Sequence, residues 1–248
     1  MTEPCEFLPW DTEFFGERIA RVNGHRLDAP KISLIKAWCL QQSIACAYFL
    51  ADADDPDTTL LAEENGYRLV DVRLTFEHDL KKLPENTAAQ PAPGVCIRPF
   101  LPEDIPLLQG IARDSYTMSR FYSDTRFSRQ KCSDLYDTWI QKSCHGYAEA
   151  VWVAEVEGQA VGYVTCHLDR PEPAWGQIGL VGIGAGAQGR GIGQLLIARS
   201  LVWFAGQGMK TVEVVTQGQN LRAQRLYQRS GFVSKNLQLW YHVWFQKE

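Results

Sequence analysis

Paired cysteines are missing from this sequence. Its seven cysteines, at positions 5, 39, 46, 96, 132, 144 and 166, contain no CxxC motif, and an odd number fits poorly with a secreted disulfide framework. They read as reduced thiols, which sets the expectation of a cytoplasmic protein. Long apolar runs are missing too. The longest, Ile44 to Ala51, has eight residues, far below the ~20 that span a bilayer. The N-terminus, MTEPCEFLPWD, has neither the basic region nor the apolar stretch of an export signal. Cationic excess is absent: 25 basic against 29 acidic residues give a formal charge of −4, without the positive field that a nucleic-acid backbone selects. The five histidines show no HxxxH or HxE spacing, and adjacent pairs such as Cys144-His145 and Cys166-His167 do not by themselves make a metal site, so no metal is expected.

What remains is the composition of a globular protein, 45% apolar and 22% charged, long enough for one large domain or two small ones. The clearest seam is KKLPENTAAQPAPG, from Lys81 to Gly94, with three prolines, small residues and no apolar periodicity. It divides the chain into a small N-terminal α/β domain (1–80), a linker (81–94) and a larger domain (95–248). In the first part, patterning predicts a strand over Arg18–Val22, a helix over Lys31–Gln42, a strand over Ala45–Leu50, a helix over Asp57–Asn65 and a long strand from Tyr67.

After the linker come a strand over Val95–Pro99 and a helix within LPEDIPLLQGIA. A polar, aromatic loop follows over Ser115–Ser128, then a helix over Arg129–Ser143 and a hairpin turning at Glu157-Gly158. The remainder is βαβαβ in character: strand Ile178–Ile183, a glycine-rich turn, a helix over Gly191–Ala205, strand Val212–Thr216, a helix over Leu221–Ser230 and a final strand from Phe232. The parts share punctuation. Leu61 precedes Gly66-Tyr67 by five residues, as Leu226 precedes Gly231-Phe232, so a degenerate duplication and ordinary α/β spacing are both open. The first part has Ala62 where the second has Tyr227, and it lacks the glycine turn, so the chemistry is expected in the second. The last strand, with its WYHVWF run, could pair across a homodimer or be buried in one subunit.

The turn Gly184–Gly193, GAGAQGRGIG, lies between an apolar strand and a helix. Free N–H groups and the helix dipole favour an anion there, and glycines allow close approach, so a diphosphate is the natural ligand. Gly184, Gly186 and Gly189 satisfy GxGxxG, but about 55 residues remain after the loop, too few for the βα units of a dinucleotide fold. A Walker loop is excluded because no Gly-Lys-Ser/Thr follows.

The alternative pattern is Gln188-x-x-Gly191-x-Gly193 after a strand, then Asn220, Ala223, Leu226-Tyr227 and Gly231-Phe232. From Val95 onward this resembles the GNAT superfamily of acyl-CoA-dependent N-acyltransferases. The resemblance implies a GNAT-like mixed central sheet with flanking helices, behind the smaller α/β domain, and acetyl-CoA as co-substrate. It implies that Gln188, Gly189, Arg190, Gly191, Ile192 and Gly193 hold the coenzyme diphosphate, that Leu180, Val181, Gly182 and Ile183 pair with the pantetheine arm, and that Asn220 contacts the coenzyme near its reactive end. Tyr227 would be the general acid, since a phenol can protonate a departing thiolate. Asn220 could equally cap a helix. No carboxylate lies in Ile178–Ile183, so the base is open between ordered water and Glu155, His167 or Asp169.

PWDTEFFG (Pro9–Gly16), SRFYSDTRF (Ser119–Phe127) and Leu135-Tyr136-Asp137-Thr138-Trp139 resemble a narrower group, the two-part dTDP-fucosamine acetyltransferases, which act on the 4-amino group of dTDP-4-amino-4,6-dideoxygalactose. The implied acceptor is a dTDP-amino sugar, with Arg120, Phe121 and Tyr122 as substrate-binding candidates, because guanidinium groups suit a diphosphate and aromatic faces stack on a base. Three rivals stand beside it: an acetyltransferase for a protein N-terminus, polyamine or aminoglycoside; a non-catalytic acyl-CoA-binding module; and an NAD enzyme.

Overall fold

The computed structural model describes residues 3–84, 94–169 and 174–245. Residues 85–93, the body of the expected linker, lie outside them. In the N-terminal part the elements are β1 (Cys5–Phe7), α1 (Pro9–Phe15), β2 (Ile19–Val22), α2 (Ala29–Gln41), β3 (Cys46–Asp52), α3 (Pro56–Glu64) and β4 (Arg68–Asp79). The C-terminal part has β5 (Val95–Pro99), α4 (Ile105–Ser115), α5 (Arg120–Ser123), α6 (Arg129–Lys142), β6 (Ala150–Val156) and β7 (Gln159–Asp169). It continues with β8 (Trp175–Ile183), α7 (Ile192–Gly206), β9 (Thr211–Gln217), α8 (Leu221–Arg229) and β10 (Val233–Trp244).

Local chemistry sets the helix starts. Asp28 caps α2 by accepting the Lys31 N–H at 2.7 Å, Asp55 caps α3, and Asn220 caps α8 by accepting the Ala223 N–H at 3.1 Å. Past α3 and α8, Gly66 (φ 79°) and Gly231 (φ 87°) take the left-handed conformation that reverses the chain into a long strand. The elements β1 and α1 are additions to the sequence reading, as is the start of β8 at Trp175 rather than Ile178.

All ten strands join one sheet in the order β1-β2-β3-β10-β4-β9-β8-β7-β6-β5. The two parts are interleaved. β4, from the N-terminal part, pairs antiparallel with β9, whereas β10, from the C-terminal part, pairs antiparallel with β3, and β4 and β10 pair with each other. Both edges of β10 are therefore occupied within one chain, which closes the route to a dimer through its WYHVWF run.

Two irregularities shape β8. It runs parallel to β9 only from Trp175↔Thr211 to Ile178↔Val214. Beyond that point β9 stays with β4, β8 stays with β7, and a cleft opens between them. On its other side, the pairing Val164↔Val181 followed by Cys166↔Ile178 leaves Thr165 opposite two residues, Gly179 and Leu180, which is a β-bulge. The bulge inverts the pleat. A Cβ on Gly176 would stand 2.4 Å from Phe204 of α7, yet one on Gly182 would stand 2.6 Å from Tyr163 and 3.0 Å from Ile111 of α4. The sheet thus carries α7 on one face and α4 and α6 on the other, with an apolar core on each.

The Ser115–Ser128 segment is not wholly the polar, aromatic loop expected from the sequence. It forms α5, and Phe121 and Phe127, 2% and 5% exposed, sink into the α4–α6 core. Asp124 pins it to β10, accepting hydrogen bonds from His242 Nδ1 and Trp244 Nε1, both at 2.8 Å. Burial raises the Asp124 carboxyl, and these two donors more than offset that, leaving it below the usual carboxylate range. Burial pushes the His242 imidazole down to about 4, against the opposing pull of Asp124.

Between pH 6.5 and 4 the unfolded chain therefore binds a proton at His242 that the folded chain refuses, so stability falls across that window as pH drops. His242→Gln, which keeps an N–H donor for Asp124, should lose less melting temperature than the parent between pH 7 and pH 5. Parallel melting curves would contradict this account of His242.

Candidate active site

The loop between β8 and α7 is built to expose amides. Gly189 (φ 79°) and Gly191 (φ 77°) turn left-handed, and Gly191 is the N-cap of α7. Among the described residues no acceptor meets the N–H groups of Gly189, Arg190, Gly191, Ile192 or Gly193. A Cβ on Gly186, Gly189 or Gly191 would find nothing within 4 Å, so the loop stands open. Gly193 is different: its Cβ would stand 3.1 Å from Leu226 and 3.2 Å from Ile183, so it lets α7 pack against α8 and β8. Gln188 braces the loop, donating from Nε2 to the Ile183 carbonyl at 3.0 Å and accepting on Oε1 from Arg222. Arg222, with Arg190, adds positive charge where the α7 dipole is also positive. The sequence reading passed over Arg222, although its place two residues after the Asn220 cap puts it on the turn of α8 that faces the loop.

Along β8, Leu180 donates its N–H to Thr165 Oγ1 at 2.8 Å and Gly184 donates to the Val161 carbonyl at 2.9 Å, both toward β7. Strand alternation turns the peptide groups of Val181 and Ile183 into the cleft instead. Of the four strand residues named from the sequence, Val181 and Ile183 present backbone groups there. Leu180 is tied to Thr165, and Gly182 makes room for Tyr163.

Tyr227 of α8 packs against Phe76 and Phe232, with ring centroids 6.0 and 5.9 Å away. Its side chain is 4% exposed, and burial holds the phenol well above its usual range, so it keeps its proton at neutral pH. Asn220 caps α8 through Oδ1, which leaves its amide N–H groups available.

Two open cavities border β8. A cavity of about 310 Å³ lies between α4 and the glycine loop, touching Ile111, Ile183 and Gln188. The larger, about 790 Å³, lies over the other end of the strand. It is lined by Trp10, Trp139, Tyr147, Glu149, His167, Trp175, Gly179 and Leu180 among others, so α1 of the N-terminal part contributes to it. Arg120 and Phe121 sit elsewhere. The Arg120 guanidinium lies 4.1–4.4 Å from the rings of Trp240, Tyr48 and Phe121, with Nη1 buried and lacking an acceptor among the described residues. Near it on β4, burial lifts the Asp71 carboxyl to about 7. Phe121 is a core residue whose ring is taken up by Phe15, Tyr48 and Phe127, and Tyr122 lies under Arg129 at 5.4 Å. The structure does not bring these three to the large cavity. Glu155 is held by Arg98 at 2.6 Å, in a network that also includes Asp104.

Gly193→Val should lower the denaturation midpoint by the equivalent of ~1–3 kcal/mol through overpacking. Gly186→Ala should leave it within ~0.5 kcal/mol of the parent. Equal effects in the two variants would contradict the division between packing and open glycines.

Residues 114–232 match the acetyltransferase (GNAT) family model. The chain is 32% identical over 147 residues to the spore coat polysaccharide biosynthesis protein SpsD of Bacillus subtilis, covering 59% of this chain and 50% of that one. It is 34% identical over 96 residues to the mycothiol acetyltransferase of Beutenbergia cavernae, covering 39% of this chain and 30% of that one. The chain thus spans half or less of the length of these two relatives. A crystal structure of a GCN5-related N-acetyltransferase from Sphaerobacter thermophilus superposes with a TM-score of 0.66 at 20% identity, covering 98% of this chain and 76% of that one, which shows a shared fold. The mixed sheet, the parting of β8 from β9, the amide-rich loop and these matches lead to one conclusion: residues 114–232 carry the acetyltransferase (GNAT) family pattern, on a fold shared with a GCN5-related N-acetyltransferase.

Proposed function

We propose that this protein transfers acetyl from acetyl-CoA directly to the amine of a nucleotide-linked amino sugar of the dTDP-4-amino-4,6-dideoxyhexose class. The observation that carries the reading is the alignment along β8 of the open amide loop, the unpaired N–H groups of Val181 and Ile183, and the large aromatic and acidic cavity at the strand's other end. The N–H groups of Gly189 to Gly193 suit a diphosphate, with Arg190 and Arg222 beside them. Val181 and Ile183 suit the amides of a pantetheine arm, as an added strand would. Tyr227 then serves as the acid that protonates the leaving thiolate, a task for which a phenol held neutral is suited.

For the acceptor, the large cavity supplies ring faces from Trp10, Trp139 and Trp175 for an apolar sugar face or a base, and carboxylates from Glu149 and Asp169 for an amine. The likeness to SpsD, described as a polysaccharide biosynthesis protein, supports a sugar substrate. Arg120, Phe121 and Tyr122 lie away from this cavity, so their substrate-binding role is offered only for a part of the acceptor that extends beyond it. A second reading, an acceptor of the mycothiol type, draws on the Beutenbergia cavernae relative and uses the same loop.

Acetyl-CoA at 100 times its dissociation constant should add ~2.7 kcal/mol of stability, and NAD none; a preference for NAD ends the reading. In a thiol-release assay over dTDP-amino sugars, peptides, polyamines and aminoglycosides, turnover should be greatest with the sugars, and activity confined to the other amines would overturn that acceptor. Tyr227→Phe should lower kcat by ~10²- to 10⁴-fold with acetyl-CoA binding unchanged. Unaltered kcat with chemistry rate-limiting would remove the acid role.

A further inference from the structure

Direct attack by an amine leaves a proton to be removed, and β8 offers no carboxylate near the cleft. His167 lines the large cavity in which the acceptor is proposed to sit. It is the middle of a row across three strands. Gln177 of β8 is its register partner on one side, and on the other the Glu149 N–H donates to the Cys166 carbonyl at 3.0 Å, which sets Glu149 beside it. The imidazole lies over the bulge because residue 179 has no side chain: a Cβ on Gly179 would stand 2.6 Å from His167 Nε2 and 2.7 Å from Thr165 Oγ1. Nε2 is 3.4 Å from Thr165 Oγ1, the same oxygen that accepts the Leu180 N–H at 2.8 Å. The Tyr147 ring meets the imidazole edge-on at 5.4 Å. Thr165 Oγ1 already accepts from Leu180, so its own hydroxyl proton is free to be donated to Nε2, which makes Nε2 the basic ring atom.

We propose that His167 is the general base of this acetyl transfer, positioned by Tyr147, Glu149 and Thr165. The inference rests on the reaction proposed above. The acceptor nitrogen attacks the thioester carbonyl carbon and its proton passes to His167 Nε2. The new C–N bond replaces the C–S bond, and the departing thiolate takes the proton of Tyr227. Solvent then deprotonates His167 and reprotonates Tyr227, so both return to their starting states.

The charged groups that share this cavity are Lys142 from α6, Glu149 at the head of β6 and Asp169 from β7 itself, while β8 contributes the neutral Gln177 and α1 contributes Trp10. Burial lowers the imidazole below its usual value of 6.5, against the pull of Glu149 and of the Tyr147 backbone, so His167 is neutral at pH 7 and ready to accept a proton. Its base form is lost as pH falls, which gives kcat an acid limb below 6.5. The competing group is Asp71, lifted to about 7 on β4, which lies beyond β9 and β8 from β7.

The test is the pH profile of kcat with acetyl-CoA and a dTDP-amino sugar for the full chain, His167→Gln, His167→Ala and Asp71→Asn. His167→Gln is expected to lower kcat by ~10²- to 10³-fold, to remove the acid limb and to leave thermal stabilisation by acetyl-CoA as in the parent. His167→Ala should regain rate with added imidazole, and Asp71→Asn should keep the limb. A His167→Gln enzyme with parental kcat and acid limb overturns the proposal, as does a limb that survives there and vanishes in Asp71→Asn. If the parent acetylates another amine and no sugar, the substrate reading falls and the same profiles with that amine judge His167. A parent that acetylates no amine overturns both.

Discussion

The parting of two parallel strands governs this molecule. β8 and β9 share only four register pairs, Trp175↔Thr211 to Ile178↔Val214, before each follows a different neighbour. Buried peptide groups must find partners, and a strand that loses one side of its ladder leaves a row of donors and acceptors to be met by something else. The N–H groups of Val181 and Ile183 and the Val181 carbonyl are in that position, while Gln188 meets the Ile183 carbonyl, and the glycine loop continues the row with five further N–H groups around the start of α7. The cleft holds its shape because β9 does not end there: β4, brought in from the N-terminal part, pairs with it through Gln217↔Arg73, and β10 locks β4 from its other side. Gly218 fixes the crossing, its N–H donating to the Val72 carbonyl at 2.6 Å with Val72 pressed where its Cβ would be. An exchange of last strands between the two parts is thus what keeps the cleft open.

The bulge at Gly179-Leu180 ties this backbone geometry to side-chain chemistry. By inverting the pleat it turns Gly182 toward α4, seats Tyr163 over it, and leaves Thr165, His167 and Gln177 on the face of the larger cavity. A phenol kept neutral by burial stands on one side of the cleft and an imidazole kept neutral by burial on the other. Environments that separate a proton donor from a proton acceptor are a common arrangement for acid–base work; here the imidazole's follows from the bulge and the phenol's from its packing against Phe76 and Phe232.

Much of this was legible in the sequence because it is written in local chemistry. The caps Asp28, Asp55 and Asn220, the helix-ending Gly66 and Gly231, and the loop glycines act within a few residues, so the helices and long strands fall near their expected places. The GNAT resemblance came from the same loop together with Asn220, Tyr227 and Gly231-Phe232. What was not legible depends on distant contacts. The segment around Arg120 reads as a polar, aromatic loop, yet Asp124 reaches across to His242 and Trp244, and Phe15 and Tyr48 close over Phe121. The interleaving of β4 and β10 has no signature in either strand alone, and β1 was too short to stand out until paired with β2. His167 could be named as a candidate, but its row with Glu149 and Gln177 exists only once three strands are in register.

The central claim is that the unpaired amides of the loop and of β8 receive the coenzyme. Backbone amide hydrogen exchange with and without coenzyme A tests it most directly. The account predicts marked slowing at Gly189 to Gly193 and at Val181 and Ile183, with Leu180 and Gly184 little changed because their N–H groups are already bonded. Coenzyme A that binds yet slows exchange only elsewhere, leaving the loop amides as fast as in the free protein, would contradict it.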